Sequence, residues 1–166
     1  EQAHQKAIDN GFCLGVKLVR GAYMEKEHQR ASEHQYLTPV YLTKKDTDAA
    51  FDEAIRFSVE NIDRIALCCG SHNEKSSLYL TELMQEHGIT KDDSRIYFSQ
   101  LLGMSDHISF NLANEGYNVV KYVPYGPVRE VMPYLIRRAE ENRSIAGQTS
   151  RELSLLQAET MRRKSL

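Results

Sequence analysis

The stretch that decides the fold is RIALCCGSHNEKSSLYLTELMQEHG, residues 64–88. It opens with the short apolar run 64–69 and passes through small and polar residues to Asn73. A predicted helix then runs through Leu78, Leu80 and Met84, of which Leu80 and Met84 are four residues apart. Asn73 is a favoured N-cap residue, and Gly88 is a favoured residue just after a helix end. The stretch therefore predicts one β-strand followed by one α-helix.

Three other segments repeat this order of strand and helix. Residues 12–19, 95–98 and 118–123 are short, apolar and rich in β-branched or aromatic residues, and a helical pattern follows each. Such alternation indicates parallel βαβ units. The four units average about 34 residues, close to the roughly 31 per unit of a (β/α)8 barrel. Half a barrel is one interpretation, and a small open doubly wound sheet is the other.

The helix signals divide the chain further. Helices are predicted over residues 24–34, 44–61, 73–88 and 106–114, with Ser105 as the cap of the fourth. A further helix is predicted with Pro127 at its first position, and a last one from a capping box of Thr149 and Glu152. We expect residues 1–147 to form the β/α part and residues 148–166 to form a C-terminal helix.

Composition excludes several classes of protein. The formal net charge is −2 and the pI is near 6.3, unlike the basic footprint of a nucleic-acid-binding domain. No run of about 18 apolar residues predicts a membrane-spanning helix. Cys13, Cys68 and Cys69 are an odd number without metal-ligand spacing, so we expect three buried thiols in a reducing, intracellular compartment and no metal site.

Polar residues at the strand ends are candidates for a site. Lys17 lies within the first apolar strand, and the alternative is an edge strand whose lysine reaches solvent. Ser71, His72 and Asn73 follow the second strand at a helix N-terminus, which favours anions or an electron-rich ring; simple capping by Asn73 explains them equally well. Gln100 follows the third strand as a neutral donor and acceptor, or as a surface amide.

The helix after Pro127 carries two stripes. Val128, Val131, Met132, Leu135, Ile136 and Ala139 form an apolar stripe that we expect to anchor the helix. Tyr134, Arg137, Arg138 and Glu141 form a second stripe on roughly the opposite face. Adjacent arginines point about 100° apart, so both can reach one carboxylate at the edge of the stripe. The alternative is an ordinary solvated face.

Three runs in this order resemble the proline dehydrogenase family: KLVRGAYMEKE at residues 17–27, GSHN at 70–73, and KYVPYGPVREVMPYLIRRAEEN at 121–142. The resemblance implies an α/β fold of the (β/α)8 TIM-barrel type. The chain would cover the second half of the barrel, about four β/α units, plus a C-terminal helix. It implies FAD as cofactor, oxidation of L-proline to Δ1-pyrroline-5-carboxylate, and a quinone as electron acceptor.

The resemblance also implies partners and a location. The missing N-terminal half of the barrel would supply further substrate and flavin contacts, so we expect this chain to be inactive alone. Two open strand edges favour self-association. The family's quinone is compatible with peripheral membrane association, at the inner face of the bacterial membrane or in a mitochondrion. No nucleic-acid partner is expected.

Site residues follow from the resemblance one by one. It places Lys17 beside flavin N5, where many bacterial members have arginine. It assigns further FAD contacts to Val19, Arg20, Gly21, Ala22, Ser71, His72, Asn73, Gln100 and Glu141, and an apolar wall to Leu102. Tyr122 and Tyr134 would pack on the proline ring, and Arg137 and Arg138 would bind its carboxylate. Lys17, Tyr122, Arg137 and Arg138 are the candidate catalytic residues.

Two other functions are alternatives. Hydroxyproline dehydrogenase is similar, but it tends to hold a smaller serine at the position of Tyr122, so tyrosine favours proline. A non-catalytic α/β binding module is the alternative from another class.

Overall fold

A computed structural model describes the backbone of residues 2–144 and 148–164 and the side chains of residues 2–138 and 153–164. The elements in chain order are α1 Gln2–Asn10, β1 Leu14–Leu18, α2 Met24–His34, α3 Lys44–Glu60, β2 Ile65–Gly70, α4 Glu74–Glu86, β3 Ile96–Leu101, α5 Asp106–Asn114, β4 Val119–Tyr122, α6 Val128–Ser144 and α7 Gln148–Lys164.

The four predicted strands form one sheet in the order β1-β2-β3-β4. β1 pairs with β2 and β2 with β3 in parallel, with Leu14 opposite Ile65 and Leu67 opposite Ile96. Strands that follow each other in the chain are therefore neighbours in the sheet. This order confirms the prediction of successive β/α units and fits an arc of a barrel rather than a doubly wound sheet, whose strand order reverses.

The core lies between one face of the sheet and the helices that follow the strands. Ile65, Leu67 and Cys69 are buried, whereas the alternate residues Ala66 and Cys68 are more exposed. The buried cluster joins β2 and β3 to the apolar faces of α3, α4 and α5: Phe51, Ile55, Val59, Leu67, Cys69, Leu80, Leu83, Met84, Ile96, Phe98, Ile108 and Leu112. The opposite face of the sheet is left open, and it carries Lys17.

The chain divides into two compact units, residues 1–121 and 122–166. The first holds the sheet core and helices α1 to α5, and the second holds α6 and α7. Each is described by itself below. The expected boundary between residues 147 and 148 stays a prediction.

The local signals around α4 are confirmed. The Asn73 side chain accepts hydrogen bonds from the backbone N–H groups of Lys75 and Ser76. At the other end, Gly88 N donates to Gln85 O at 3.1 Å and Ile89 N to Met84 O at 2.8 Å, the pair of bonds that closes a helix C-terminus.

Four details differ from expectation. Helix α1 was not predicted, because residues 2–10 have only a weak apolar periodicity. Cys13 is exposed and Cys68 is partly exposed; only Cys69 is buried, because Cys13 precedes β1 in a surface turn. Pro127 lies one position before the first residue of α6 rather than within it. Ser105 precedes α5 as expected but its side chain makes no cap hydrogen bond, because its backbone adopts φ 52° and its hydroxyl turns elsewhere.

The apolar stripe of α6 is exposed. Val128, Met132, Leu135 and Ile136 retain between 38% and 75% of their accessible surface, so the expectation that this stripe anchors the helix is wrong for the chain by itself. The side chains of Ala139, Thr149 and Glu152 lie outside the described residues. None of the helices in the described part combines the length and apolar character needed to cross a bilayer.

Candidate functional site

The predicted site residues lie at the carboxyl ends of their own strands. Lys17 is the fourth of five residues in β1, Ser71 follows β2 directly, Gln100 precedes the last residue of β3, and Tyr122 ends β4. Loops at this end of parallel strands are where α/β proteins place ligands. The predicted position of these residues at strand ends is thus confirmed, and their role in a site stays a prediction.

Gly70 lets β1 and β2 approach closely at that edge. A Cβ atom added to Gly70 would lie 2.9 Å from Val19 Cγ1, 3.0 Å from Leu18 O and 3.3 Å from Lys17 Cε. Glycine inside a strand often marks such an approach. The aliphatic stem of Lys17 therefore crosses the Gly70 backbone on the open face of the sheet, with the exposed Val19 beside it.

The Arg20 side chain points away from the open face of the sheet, toward α3. Its Nη1 forms an ion pair with Asp48 Oδ1 at 2.9 Å, and its Nη2 donates to Ser71 Oγ at 3.1 Å. The guanidinium carbon lies 4.4 Å from the centre of the Phe51 ring. The Arg20 side chain is 14% exposed, so this cation is held between the sheet and α3.

The turn after β2 is fixed by a set of hydrogen bonds. Ser71 Oγ accepts from the Asn73 backbone N–H at 3.1 Å as well as from Arg20. His72 Nδ1 lies 2.9 Å from Ser105 Oγ, in hydrogen-bond contact. Ser105 is fully buried, so the imidazole is held on one side by the interior of the first unit.

Gln100 is also held from inside. It is 2% exposed. Its Nε2 donates to the Ser71 carbonyl at 3.2 Å, and its Oε1 accepts from Ser109 Oγ at 3.0 Å. The surface-amide interpretation is therefore wrong. The contact of Gln100 with a flavin edge stays a prediction.

The loop after β1 is built for close backbone approach. Gly21 has φ 78° and Tyr23 has φ 62°. Gly21 adopts this left-handed conformation without strain, and a tyrosine there is unusual. Ala22 between them is half-buried, whereas Leu102, in the loop after β3, is 56% exposed. Both loops present small or apolar surface beside the strand ends.

The second unit brings together aromatic and cationic side chains. The rings of Tyr122 and Tyr134 meet edge to face with centroids 6.1 Å apart. The Arg138 guanidinium lies 5.2 Å from the centre of the Tyr134 ring. Arg137 and Arg138 are half-buried, and both Nε atoms are shielded from solvent. This burial favours a binding role over an ordinary solvated face, and both roles stay predictions. The side chain of Glu141 lies outside the described residues.

The sequence model of the proline dehydrogenase family matches residues 1–151 of this chain. The chain belongs to the proline dehydrogenase family. It is 46% identical to human "Proline dehydrogenase 1, mitochondrial" over 92% of its length, and 43% identical to "Hydroxyproline dehydrogenase" of Xenopus laevis over 92%. A crystal structure of proline utilization A (PutA) from Bdellovibrio bacteriovorus inactivated by N-propargylglycine superposes on 82% of the chain with a TM-score of 0.77 and 29% identity.

The proline dehydrogenase relatives are much longer than this chain. The matched part is 26% of the human protein, 34% of the Xenopus protein and 14% of the PutA chain. The four parallel strands and their helices are thus part of the family's (β/α)8 barrel.

Three residues that hold the candidate site residues were not predicted in that role from the sequence. Asp48, Ser105 and Ser109 hold Arg20, His72 and Gln100 respectively. Asp48 lies 28 residues from its partner and carries no local signal. The signal for Ser105 and Ser109 was their i, i+4 spacing at the start of α5, which is typical of a polar patch facing one direction.

Proposed function

We propose that this chain supplies half of the barrel of an FAD-dependent proline dehydrogenase, which oxidises L-proline to Δ1-pyrroline-5-carboxylate. Membership of the family supports this proposal. The observation that carries it is the group in the second unit in which the Tyr122 and Tyr134 rings meet and the Arg138 guanidinium lies over Tyr134.

The residues of the second unit suit a small cyclic amino acid. A guanidinium binds a carboxylate through two parallel hydrogen bonds, and Arg137 Nε is buried with no hydrogen-bond partner among the described residues. The adjacent rings of Tyr122 and Tyr134 offer an apolar surface to a pyrrolidine ring. In this proposal the arginines orient the substrate through its carboxylate and the tyrosines exclude water from the ring.

The strand ends of the first unit suit a flavin nucleotide. The left-handed turn at Gly21 allows a backbone N–H to approach a phosphate, the exposed Lys17 offers a cation on the open sheet face, and the buried turn at Ser71 offers a hydroxyl. Lys17, Val19, Gly21, Ala22, Ser71, His72 and Asn73 are the residues that would hold FAD, with Gln100 and Glu141 as further contacts. Leu102 would form an apolar wall on the substrate side. Bound FAD would supply the two-electron acceptor for proline oxidation.

The wider setting is part of the proposal. We propose a quinone as the final electron acceptor, which fits peripheral association with a membrane. Relatives named as mitochondrial support an intracellular location. The 166-residue chain by itself is expected to be inactive, and its two sheet edges, β1 and β4, favour either the other barrel half or a second copy of the chain.

The test is a flavin spectrum of the full-length protein that contains this sequence. We expect a yellow protein whose absorbance near 450 nm falls on adding L-proline under anaerobic conditions, with glycine as a control that leaves it unchanged. A colourless protein with no response to proline would support a non-catalytic binding module instead.

Hydroxyproline is the competing substrate, because relatives named hydroxyproline dehydrogenase are also 41% to 43% identical. Tyr122 contacts Tyr134, and in this proposal its ring would fill the space that a smaller serine leaves for a 4-hydroxyl group. We therefore expect kcat/KM for L-proline to exceed that for 4-hydroxy-L-proline, and the reverse ranking would reassign the substrate.

A further inference from the structure

Both terminal nitrogens of the Arg20 side chain make contacts within the chain. Nη1 is paired with Asp48 and Nη2 with Ser71, while the flat face of the guanidinium lies over Phe51. Arg20 also points away from the open sheet face that carries Lys17 and Val19. These contacts describe a cation that organises its neighbours.

The hydrogen-bond count at Ser71 shows what is organised. A serine hydroxyl has two lone pairs and one proton. The N–H groups of Arg20 and Asn73 both donate to Ser71 Oγ, each at 3.1 Å. Both lone pairs are therefore engaged, so a further hydrogen bond of this hydroxyl would be one that it donates. Within the described part of the chain no acceptor takes that proton.

We propose that Asp48 and Arg20 are positioning residues that make the Ser71 hydroxyl a fixed donor toward an acceptor atom of the bound flavin nucleotide. This inference rests on the proposed function. It differs from direct contact, because it assigns Arg20 to the second layer of the site and adds Asp48, which lies on α3.

The geometry explains why the pair is needed. Without the Arg20 N–H, one lone pair of the Ser71 hydroxyl would lack a hydrogen-bond donor. The hydroxyl could then rotate and accept a hydrogen bond from the ligand instead of donating one. Asp48 holds the guanidinium in place through its charge, and Phe51 restricts the guanidinium plane from one side. A lysine at position 20 would lack the planar fork that joins a carboxylate and a hydroxyl at once.

The test is a double-mutant cycle on FAD binding by the full-length apoprotein, read by quenching of flavin fluorescence. Ser71→Ala should weaken FAD binding about 5- to 30-fold, the range for loss of one hydrogen bond to a ligand. Asp48→Ala should weaken it about 3- to 10-fold, since alanine preserves α3. The double variant should bind no more weakly than Ser71→Ala alone.

Controls separate positioning from folding. Glu53→Gln removes another carboxylate of α3, one paired with the exposed Arg56, and should leave FAD affinity unchanged. Asp48→Glu should recover most of the affinity lost in Asp48→Ala. If Asp48→Ala does not fold, Arg20→Lys paired with Ser71→Ala provides the same cycle.

The outcomes are distinct. Additive losses in the cycle, or wild-type affinity in Asp48→Ala, would overturn the positioning role while leaving the flavin site intact. A wild-type protein that binds no FAD would overturn the proposed function and this inference with it.

Discussion

Replacing Gly70 by alanine tests the close approach of β1 and β2 at the site. The new Cβ atom would lie 2.9 Å from Val19 Cγ1 and 3.0 Å from Leu18 O. Val19 is exposed and can rotate, but the Leu18 carbonyl belongs to the neighbouring strand, so the backbone must shift. Overpacking of this kind costs about 1–3 kcal/mol, and alanine offsets about 0.5–1 kcal/mol of it by restricting the unfolded chain.

The expected net loss is about 1–2 kcal/mol, or roughly 2–8 °C in Tm for a chain of this size. Circular dichroism of the 166-residue chain during heating measures it. Gly15→Ala is the matched control. Gly15 lies in β1 on the open face of the sheet, and a Cβ atom added to it meets nothing within 4 Å. That variant should be neutral or slightly stabilised. A Gly70→Ala chain that melts at or above the parent temperature would refute the close approach.

Three further predictions follow from the site and the core. In the full-length protein, Arg137→Met should raise KM for L-proline about 10- to 150-fold through loss of a charge-assisted contact, with flavin content unchanged. Arg129→Met, on the exposed first turn of α6, is the control. A KM of the Arg137→Met variant equal to that of the unmodified protein would contradict the carboxylate role. Burial raises the pKa of the Cys69 thiol to about 12. Iodoacetamide at pH 8 should therefore modify Cys13 and spare Cys69, which mass mapping of the modified peptides would show. Because the Cys69 thiol ionises at lower pH in the unfolded chain than in the folded one, the free energy of unfolding measured in urea should fall as pH rises above about 9. The isolated chain should lose FAD during gel filtration, and stoichiometric retention would show that half a barrel suffices.

Strand and helix order could be predicted from the sequence because each element carries a local pattern. β2 and α4 are examples: an apolar run is followed by Asn73, an apolar stripe and Gly88, and each signal acts over a few residues. The strand-end position of Lys17, Ser71 and Gln100 followed from that order alone.

The contacts that support the site could not be predicted, since they join distant parts of the chain. Asp48 reaches Arg20 from α3, and Ser105 reaches His72 across 33 residues. Ser105 also shows a local rule overridden by tertiary structure, because a residue type that favours N-caps uses its hydroxyl for a neighbouring loop. Burial of α6 depends on partners beyond its own periodicity, so its apolar stripe gave the wrong expectation.

The left-handed backbone of Ser105 sets two demands of the protein against each other at one position. Glycine would adopt φ 52° without strain and would favour folding. It would also remove the hydroxyl that now contacts His72 Nδ1. Serine at this position therefore combines a strained backbone with a hydroxyl contact to His72. A screen for thermal stability alone should select glycine here, and the contact to His72 would be lost.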